Sequence, residues 1–437
     1  MTIEFNGTCG GEFEAYYPVC ARLGRLCPRL VPGPLWGLSL ARIARMHPHS
    51  ALAVCNGCDS VVELVHNYWV GIDRSGNCIV CGDSGNEIDE DWRYCISIGG
   101  EFEKSVEKIS RALRENLNVK GIAYLAGLRL LCERCHLAKH LGYAMVTNRI
   151  KEAIEHLAKI NNINSEEVKK HAKTAFHTHS ILSEVADWTV RMGKLPNLDG
   201  KKAKLVESFL NKMINKGFFI YGGWLYYRYR YEKAVMEKAM EETVELMLES
   251  FRELSNPSMA SLGDELVKKV KARLEHSSVK VLDGEFKLFI SYVMEEHGRE
   301  LLDAVKHSRI PAIPLKSETR HLVRSGALTG KWMVFTPTPL YPKIFRAIIE
   351  ALERAGLSYH GKIIAKREDY ENRKNLPIII YTPSALSLGT IVDVALILRK
   401  ILGKFYISTR LFFKPDVFTR KGMYSGTSKH KSYIYIY

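Results

Sequence analysis

Two short words decide how this chain is read: Cys78-Ile-Val-Cys81 and, farther along, Leu131-Cys132-Glu-Arg-Cys135-His136-Leu-Ala-Lys139-His140. Each C-x-x-C pair lets two thiolates converge on one metal ion while the tight turn between them aims amide N–H groups at sulfur. Together, Cys78, Cys81, Cys132 and Cys135 predict a four-thiolate site for a structural Zn²⁺. A third pair, Cys55-Asn-Gly-Cys58, has the same spacing. Its expected partners around a second Zn²⁺ are Cys20 and Cys27, with His47 and His49 as substitutes. Cys9 and Cys95 are left over and read as free thiols in or near the core. A disulfide reading stays open beside these, since some thermophilic cytosolic proteins use such bonds.

The chain around these words has 437 residues, 46% hydrophobic and 25% charged. That is long enough for two or three cores and too apolar for a disordered chain. The longest uncharged stretch, Asn375 to Val392, is broken by Pro377, Pro383 and Gly389. It falls short of the ~20 apolar residues a membrane span requires. The opening MTIEFNGTCGGEFE lacks a basic region followed by an apolar run, so the cytoplasm is the expected compartment and no membrane partner is expected. Sixty-three Lys and Arg against 48 Asp and Glu leave a net charge of +15. Such an excess favours polyanions through phosphate contact and counterion release. A merely soluble basic surface is the alternative, and the zinc-type cysteines tip the reading toward nucleic acid.

From Cys78 onward further words join the cysteines: Glu87-Ile-Asp89-Glu90-Asp91-Trp92-Arg93-Tyr94, then Gly127-Leu-Arg-Leu-Leu-Cys132 running through His136, Lys139 and His140 to Gly142. This segment resembles the HNH endonuclease superfamily over about residues 75–195. The likeness continues through Ala153 to Asn161, Asn164 to Val168 and Trp188. It implies a treble-clef finger with a zinc knuckle beside a helix, and a divalent-metal active site in the same ββα unit. On that reading the catalytic candidates are His136, Asp89 and Glu90, holding Mg²⁺ or Mn²⁺ against a scissile phosphate. Asp89 stands where this branch carries its first His, and Gly127 where the superfamily often has Asn; His136 alone matches. A degenerate finger used for binding and a working nuclease both remain open, because an ionised Asp of ordinary pKa is a poor base. Lys139 is a candidate phosphate contact. The segment between Tyr94 and Gly121, helical around Phe102 to Leu113, is an insertion that the metal geometry should tolerate.

Residues 148–308 carry helical spacing, with Asn164 or Ser165 placed to cap one helix and further helices over 201–214, 234–251, 261–274 and 284–306. They are expected to form a bundle. His171, His177 and His179 read as an exposed helix side rather than a metal pair, since i and i+2 do not share a face. Phe218-Phe-Ile-Tyr-Gly-Gly-Trp224-Leu-Tyr226-Tyr-Arg228-Tyr-Arg230-Tyr231 admits two readings. One is a stacking platform with Arg228 and Arg230 on phosphates. The other is a half-buried hairpin turned at Gly222-Gly223.

Beyond Pro311 and Pro314 strands and helices alternate: strands over 331–336, 361–366, 376–382 and 404–413, helices over 344–355 and 386–402. Ser432 to Tyr437 alternates with period two and is expected at a sheet edge. Gly330-Lys331-Trp332, Ala365-Lys366, Ile380-Tyr381-Thr382 and Phe413-Lys414-Pro415-Asp416 through Gly422-Met-Tyr424 resemble the basophilic-leukaemia-expressed protein family over about residues 318–437. The resemblance implies a fold similar to the cap-binding translation initiation factor, a curved antiparallel sheet backed by helices, and names no reaction. Lys331, Lys366 and Lys414, with Arg410 and Arg420 nearby, could gather into one phosphate pocket. Trp332 is expected in the core.

The expected architecture is therefore a multidomain α+β protein. An N-terminal zinc module over 1–75 precedes a treble-clef finger over 76–147, a helical bundle over 148–312 and a C-terminal curved antiparallel sheet over 313–437. The expected function is that of a zinc-stabilised nucleic-acid-binding protein, RNA slightly preferred, with a basic C-terminal cleft. A metal-dependent HNH-type endonuclease is the alternative.

Overall fold

The computed structural model describes residues 26–437 apart from 29, 104, 255–258, 307, 309, 311 and 425–429, with backbone alone at 259–260 and 298–306. Cys9 and Cys20 lie outside the described residues. The fold is mixed α and β. It divides into two compact units: residues 1–48 with 57–215, and residues 49–56 with 216–437. The division expected from sequence had four parts, bounded near 75, 147 and 312. A run of helical periodicity reports an apolar stripe but not which core the stripe will cover.

In the first unit, strands β1 (Glu87–Ile98), β2 (Glu101–Glu103), β3 (Val119–Leu131) and β4 (Asp187–Met192) form a sheet in the order β2-β1-β3-β4. β1 and β3 are antiparallel along their whole length, from Glu87 opposite Leu131 to Ile98 opposite Val119, with one bulge between Glu90 and Trp92. The insertion carrying helix Val106–Arg114 lies at the Ile98 end, away from the cysteines. Helices Ile150–Asn161 and Ser165–Ser183 lead to β4, which runs parallel to β3 as a crossover allows. Of the two cap candidates, Asn164 serves: its side chain accepts the Glu167 N–H at 2.9 Å. Trp188 of β4 is buried against Gly121 of β3, where any Cβ would lie 2.4 Å from the indole ring.

In the second unit, β5 (Phe218–Tyr221), β6 (Trp224–Arg228), β7 (Lys280–Val281), β8 (Gly330–Pro337), β9 (His360–Ile364), β10 (Asn375–Thr382), β11 (Phe412–Pro415) and β12 (Tyr435–Ile436) make one sheet. Its order is β5-β6-β9-β10-β8-β11-β12-β7, and all its pairs are antiparallel. Alternation splits each strand between two faces. Leu225, Tyr227, Ile363, Ile380, Trp332 and Phe413 are buried on one of them, with helix Tyr341–Arg354 packed on β9 and β10. Trp332 is in the core as expected.

Four local expectations change. The 218–231 stretch is a hairpin turned at Gly222 and Gly223 (φ 54° and 79°), and β6 pairs with β9, so it belongs to the C-terminal sheet. Helices Glu232–Arg252, Met259–Leu274, Asp283–Lys306 and Ala312–Arg324 fall in this unit, while those up to Asn215 fall in the first, so residues 148–312 are not one bundle. β12 is not at an edge: it lies between β11 and β7, with Tyr435 buried and its hydroxyl donating to the Ala385 carbonyl at 2.8 Å. The strand expected over 404–413 is instead the shorter β11, because helix Leu388–Lys404 runs on to Lys404.

Candidate functional site

The four thiols of the deciding words come together. The Sγ atoms of Cys78, Cys81, Cys132 and Cys135 all lie within 4.8 Å of one another. Cys81 and Cys132 are 3.5 Å apart. Four thiolates about 2.3 Å from a tetrahedral ion would be about 3.8 Å apart, so the cluster fits a metal ion with little adjustment. The hairpin register brings this about: with Glu87 opposite Leu131, the loop before β1 and the helix after β3 (Glu133–Lys139) meet at the same end. The Cys135 N–H points at the Cys132 sulfur at 3.5 Å. Burial raises the Cys78 thiol, but the amides of Cys81, Cys132 and Val80 outweigh it and bring it down to about 7. Burial and neighbouring sulfurs push the Cys135 thiol up. Gly85 closes the loop where a Cβ would fall 2.5 Å from Leu130 Cγ. Behind the sulfurs lies a core of Leu131, Leu137, Leu141, Leu157 and Val168.

The second zinc site does not form. Cys27, Cys55 and Cys58 are each disulfide-bonded, and so is Cys95, which was expected as a free thiol. A sulfur committed to an S–S bond has no thiolate to offer a metal. The only free thiols among the described residues are the four of the cluster.

A second cluster of metal-binding type lies in the same unit. Ligand atoms of Asp89, His136 and His140 are within 4.8 Å of one another. Asp89 is buried on β1, and His136 and His140 stand four residues apart, their rings 4.7 Å between centroids. Asp89 is strongly paired: Lys139 is salt-bridged to it, Arg129 reaches it at 2.9 Å and His140 Nε2 lies 3.3 Å away. Burial raises its carboxyl, but Lys139, His140 and Arg129 hold it well below the usual carboxylate range. Burial and the neighbouring His140 push the His136 imidazole down to about 4, leaving it neutral and able to donate a lone pair at pH 7.

Two expected roles fail here. Glu90 does not join the cluster; its carboxylate accepts from the Ala41 N–H at 3.0 Å and the Trp92 indole at 2.8 Å. Lys139 is not a phosphate contact, because its buried ammonium group is spent on Asp89 and the Glu90 carbonyl. His140, the residue that caps the helix Glu133–Lys139, was missed by sequence reading, although i, i+4 spacing from His136 is the spacing of a shared face.

Both histidines and Asp89 line a cavity of about 860 Å³ within the first unit. Aromatic walls come from Trp36, Trp69, Trp92, Tyr94, Tyr143 and Phe176, and charge of both signs from Arg42, Arg45 and Arg74 against Glu87, Asp89 and Glu90. His179 also lines it, its Nε2–H donating to the Val31 carbonyl at 3.0 Å, so that helix side is not simply exposed.

In the second unit the structure sorts the phosphate candidates. Lys331 of β8 and Lys414 of β11 are cross-strand partners, as the pocket reading requires. Lys366 does not join them; it is half exposed and paired with Glu368 at 2.6 Å. Arg228 is held in two bonds by Glu232, and Arg420 by Glu296 at 3.2 Å. Arg230 and Arg410 are exposed and carry no ion pair among the described residues. The cation that sequence reading missed is Lys362 of β9. Its ammonium group sits 4.5 Å from the Trp224 ring, 5.1 Å from Tyr226 and 5.8 Å from Tyr381.

Compared with known proteins, the chain matches no family model and no curated protein.

Proposed function

We propose that the chain is a zinc-stabilised nucleic-acid-binding protein, with RNA slightly preferred over DNA. The observation that carries this reading is the closure of a long β-hairpin and its following helix by four cysteine sulfurs, next to a cavity walled by aromatic rings and arginines. Zn²⁺ suits four thiolates better than harder ions do. The same unit is where the HNH resemblance falls, so a finger of that kind is part of the proposal. Phosphates would meet Arg42, Arg45 and Arg74, and unstacked bases the aromatic wall. A salt-series filter-binding experiment with single-stranded RNA, single-stranded DNA and duplex DNA tests it. Affinity that falls steeply with salt is expected; retention that is absent, or indifferent to salt, would remove the reading.

A second reading, metal-dependent phosphodiester hydrolysis, is favoured by the convergence of Asp89, His136 and His140. These three would hold Mg²⁺ or Mn²⁺, and such an ion would polarise a phosphate and supply hydroxide. The residues fit only in part. Lys139 and Arg129 already neutralise Asp89, and Glu90 is engaged elsewhere, so binding stands ahead of cleavage. Incubation of labelled nucleic acid with either ion, beside His136→Ala, separates the two.

Among the described residues no helix is long and apolar enough to cross a membrane. Disulfides persist in oxidising compartments and in the cytosol of some thermophiles. A cytoplasmic placement is kept in the proposal on the second of these grounds.

A further inference from the structure

The sheet of the second unit has one face under helices and one that is only half covered, and the half-covered face is where its lysines are. Strand register sets the arrangement. Tyr226 lies opposite Lys362, Tyr381 opposite Lys331, and Lys331 opposite Lys414. Lys331 and Lys362 flank one ring, 5.3 and 5.8 Å from the Tyr381 centroid. Three ammonium groups thus share a small area with a single carboxylate, Asp416, which Lys331 takes at 2.5 Å with Thr419 as a second acceptor at 3.1 Å. Lys414 donates to the Met423 carbonyl and stands over Tyr424 at 4.3 Å. Lys362 has ring faces and the Tyr226 hydroxyl at 3.4 Å. Neither forms a salt bridge among the described residues: half-buried Lys362 and buried Lys414 share the field of Asp416 with Lys331.

We infer that this face binds the 5′-phosphate of a nucleotide, its phosphate on Lys331, Lys362 and Lys414 and its base against the aromatic rings of β5 and β6. A dianion would neutralise charge at Lys362 and Lys414, each of which is repelled by Lys331. The rings supply the rest: Trp224 and Tyr226 are half-buried, Phe219 stacks on Tyr226 at 5.1 Å, and Tyr221 is exposed. Flat aromatic surface beside a cluster of ammonium groups is what a base with a phosphate attached can use and a bare phosphate cannot. Sequence reading placed a phosphate pocket here from Lys331, Lys366 and Lys414; the observed set replaces Lys366 with Lys362 and adds the aromatic side.

The titration of the site follows from its groups. Lys362 and Lys414 face Lys331, Asp416, Tyr226, Tyr381 and Tyr424, and burial together with the Lys331 charge brings each down to about 8. Phosphate binding, which needs the ammonium forms, therefore weakens as pH rises from 7 to 9.

The inference rests on the nucleic-acid reading for its ligand class but not for its site, and the test keeps them apart. Titration calorimetry of the full chain at pH 7 would use 5′-AMP, 5′-UMP, adenosine and inorganic phosphate. Saturable binding is expected for the monophosphates, about tenfold or more tighter than for adenosine or phosphate. Lys362→Gln and Lys414→Gln should each weaken it by about tenfold, with a single cooperative melting transition certifying the fold. Trp224→Leu should remove the advantage over inorganic phosphate. Oligonucleotides with 5′-phosphate or 5′-hydroxyl ends, run in parallel, tell a strand terminus from a free nucleotide. No monophosphate binding by the parent protein, or affinity unchanged in both lysine variants, overturns the inference. Salt-dependent oligonucleotide retention that survives those variants would leave the first-unit reading standing without it.

Discussion

Glu87 and Leu131 are directly paired across the β1–β3 hairpin, and this pairing places Cys78 and Cys81 beside Cys132 and Cys135. The insertion that separates the half-sites in sequence extends the hairpin at its other end, so it costs the cluster nothing in geometry.

Replacing one cysteine of the cluster, Cys132→Ser, should remove the metal and melt the hairpin end into which it is built. Metal analysis of the purified parent should find one zinc per chain at these thiols, and the variant none. The stability loss should exceed about 4 kcal/mol, a size reached mainly by loss of a metal or a buried network. A parent protein that holds no metal after purification and reconstitution would contradict the zinc assignment.

The buried pair Asp89–Lys139 predicts a sharp asymmetry. Both side chains are almost inaccessible, at 1% and 3%. Asp89→Leu leaves the Lys139 charge in the interior and should cost roughly 3–5 kcal/mol. Adding Lys139→Met should recover much of that loss, because a well-packed apolar pair is often as stable as the ion pair it replaces. Denaturant midpoints of the two single variants and the double variant form the cycle that reads it.

Gly85→Ala should destabilise the metal loop by about 1–3 kcal/mol. The added methyl meets Leu130 Cγ at 2.5 Å and the Cys78 nitrogen at 3.2 Å, so either the leucine leaves its rotamer or the knuckle shifts. A lowered melting temperature with weakened metal retention against a competing chelator is the expected pair of outcomes.

The second unit should gain stability as pH rises from about 8 toward the ordinary lysine value of about 10.4. Burial and the Lys331 charge bring Lys362 and Lys414 down to about 8 in the folded chain. Between the two values the unfolded chain holds more protons than the folded one, which is the condition for stability to increase with pH. Melting temperatures from pH 7 to 10 should show this gain in the parent relative to Lys362→Gln/Lys414→Gln. Parallel curves would refute it.

Local patterns were legible where chemistry or periodicity is carried by near neighbours. The C-x-x-C pairs announced a four-thiolate site, Asn164 announced its cap, and the helices over 201–306 were visible from apolar spacing. The i, i+4 spacing of His136 and His140 is equally local, but only the β1 register brings Asp89 to the pair. Identical spacing misled at Cys55 and Cys58: two sulfurs in a short loop suit a metal or an S–S bond, and a linear pattern does not choose between them.

Sequence by itself determined the helices over 201–306 and that Cys78, Cys81, Cys132 and Cys135 could share one ion, since turn geometry and side-chain period act within a few residues. Only the tertiary structure decided that the 218–228 hairpin completes a sheet more than a hundred residues away, that Lys139 is consumed by Asp89, and that Lys362 rather than Lys366 stands with Lys331 and Lys414. Register between distant strands sets these neighbours. A shift of one residue would turn each of those lysines to the opposite face.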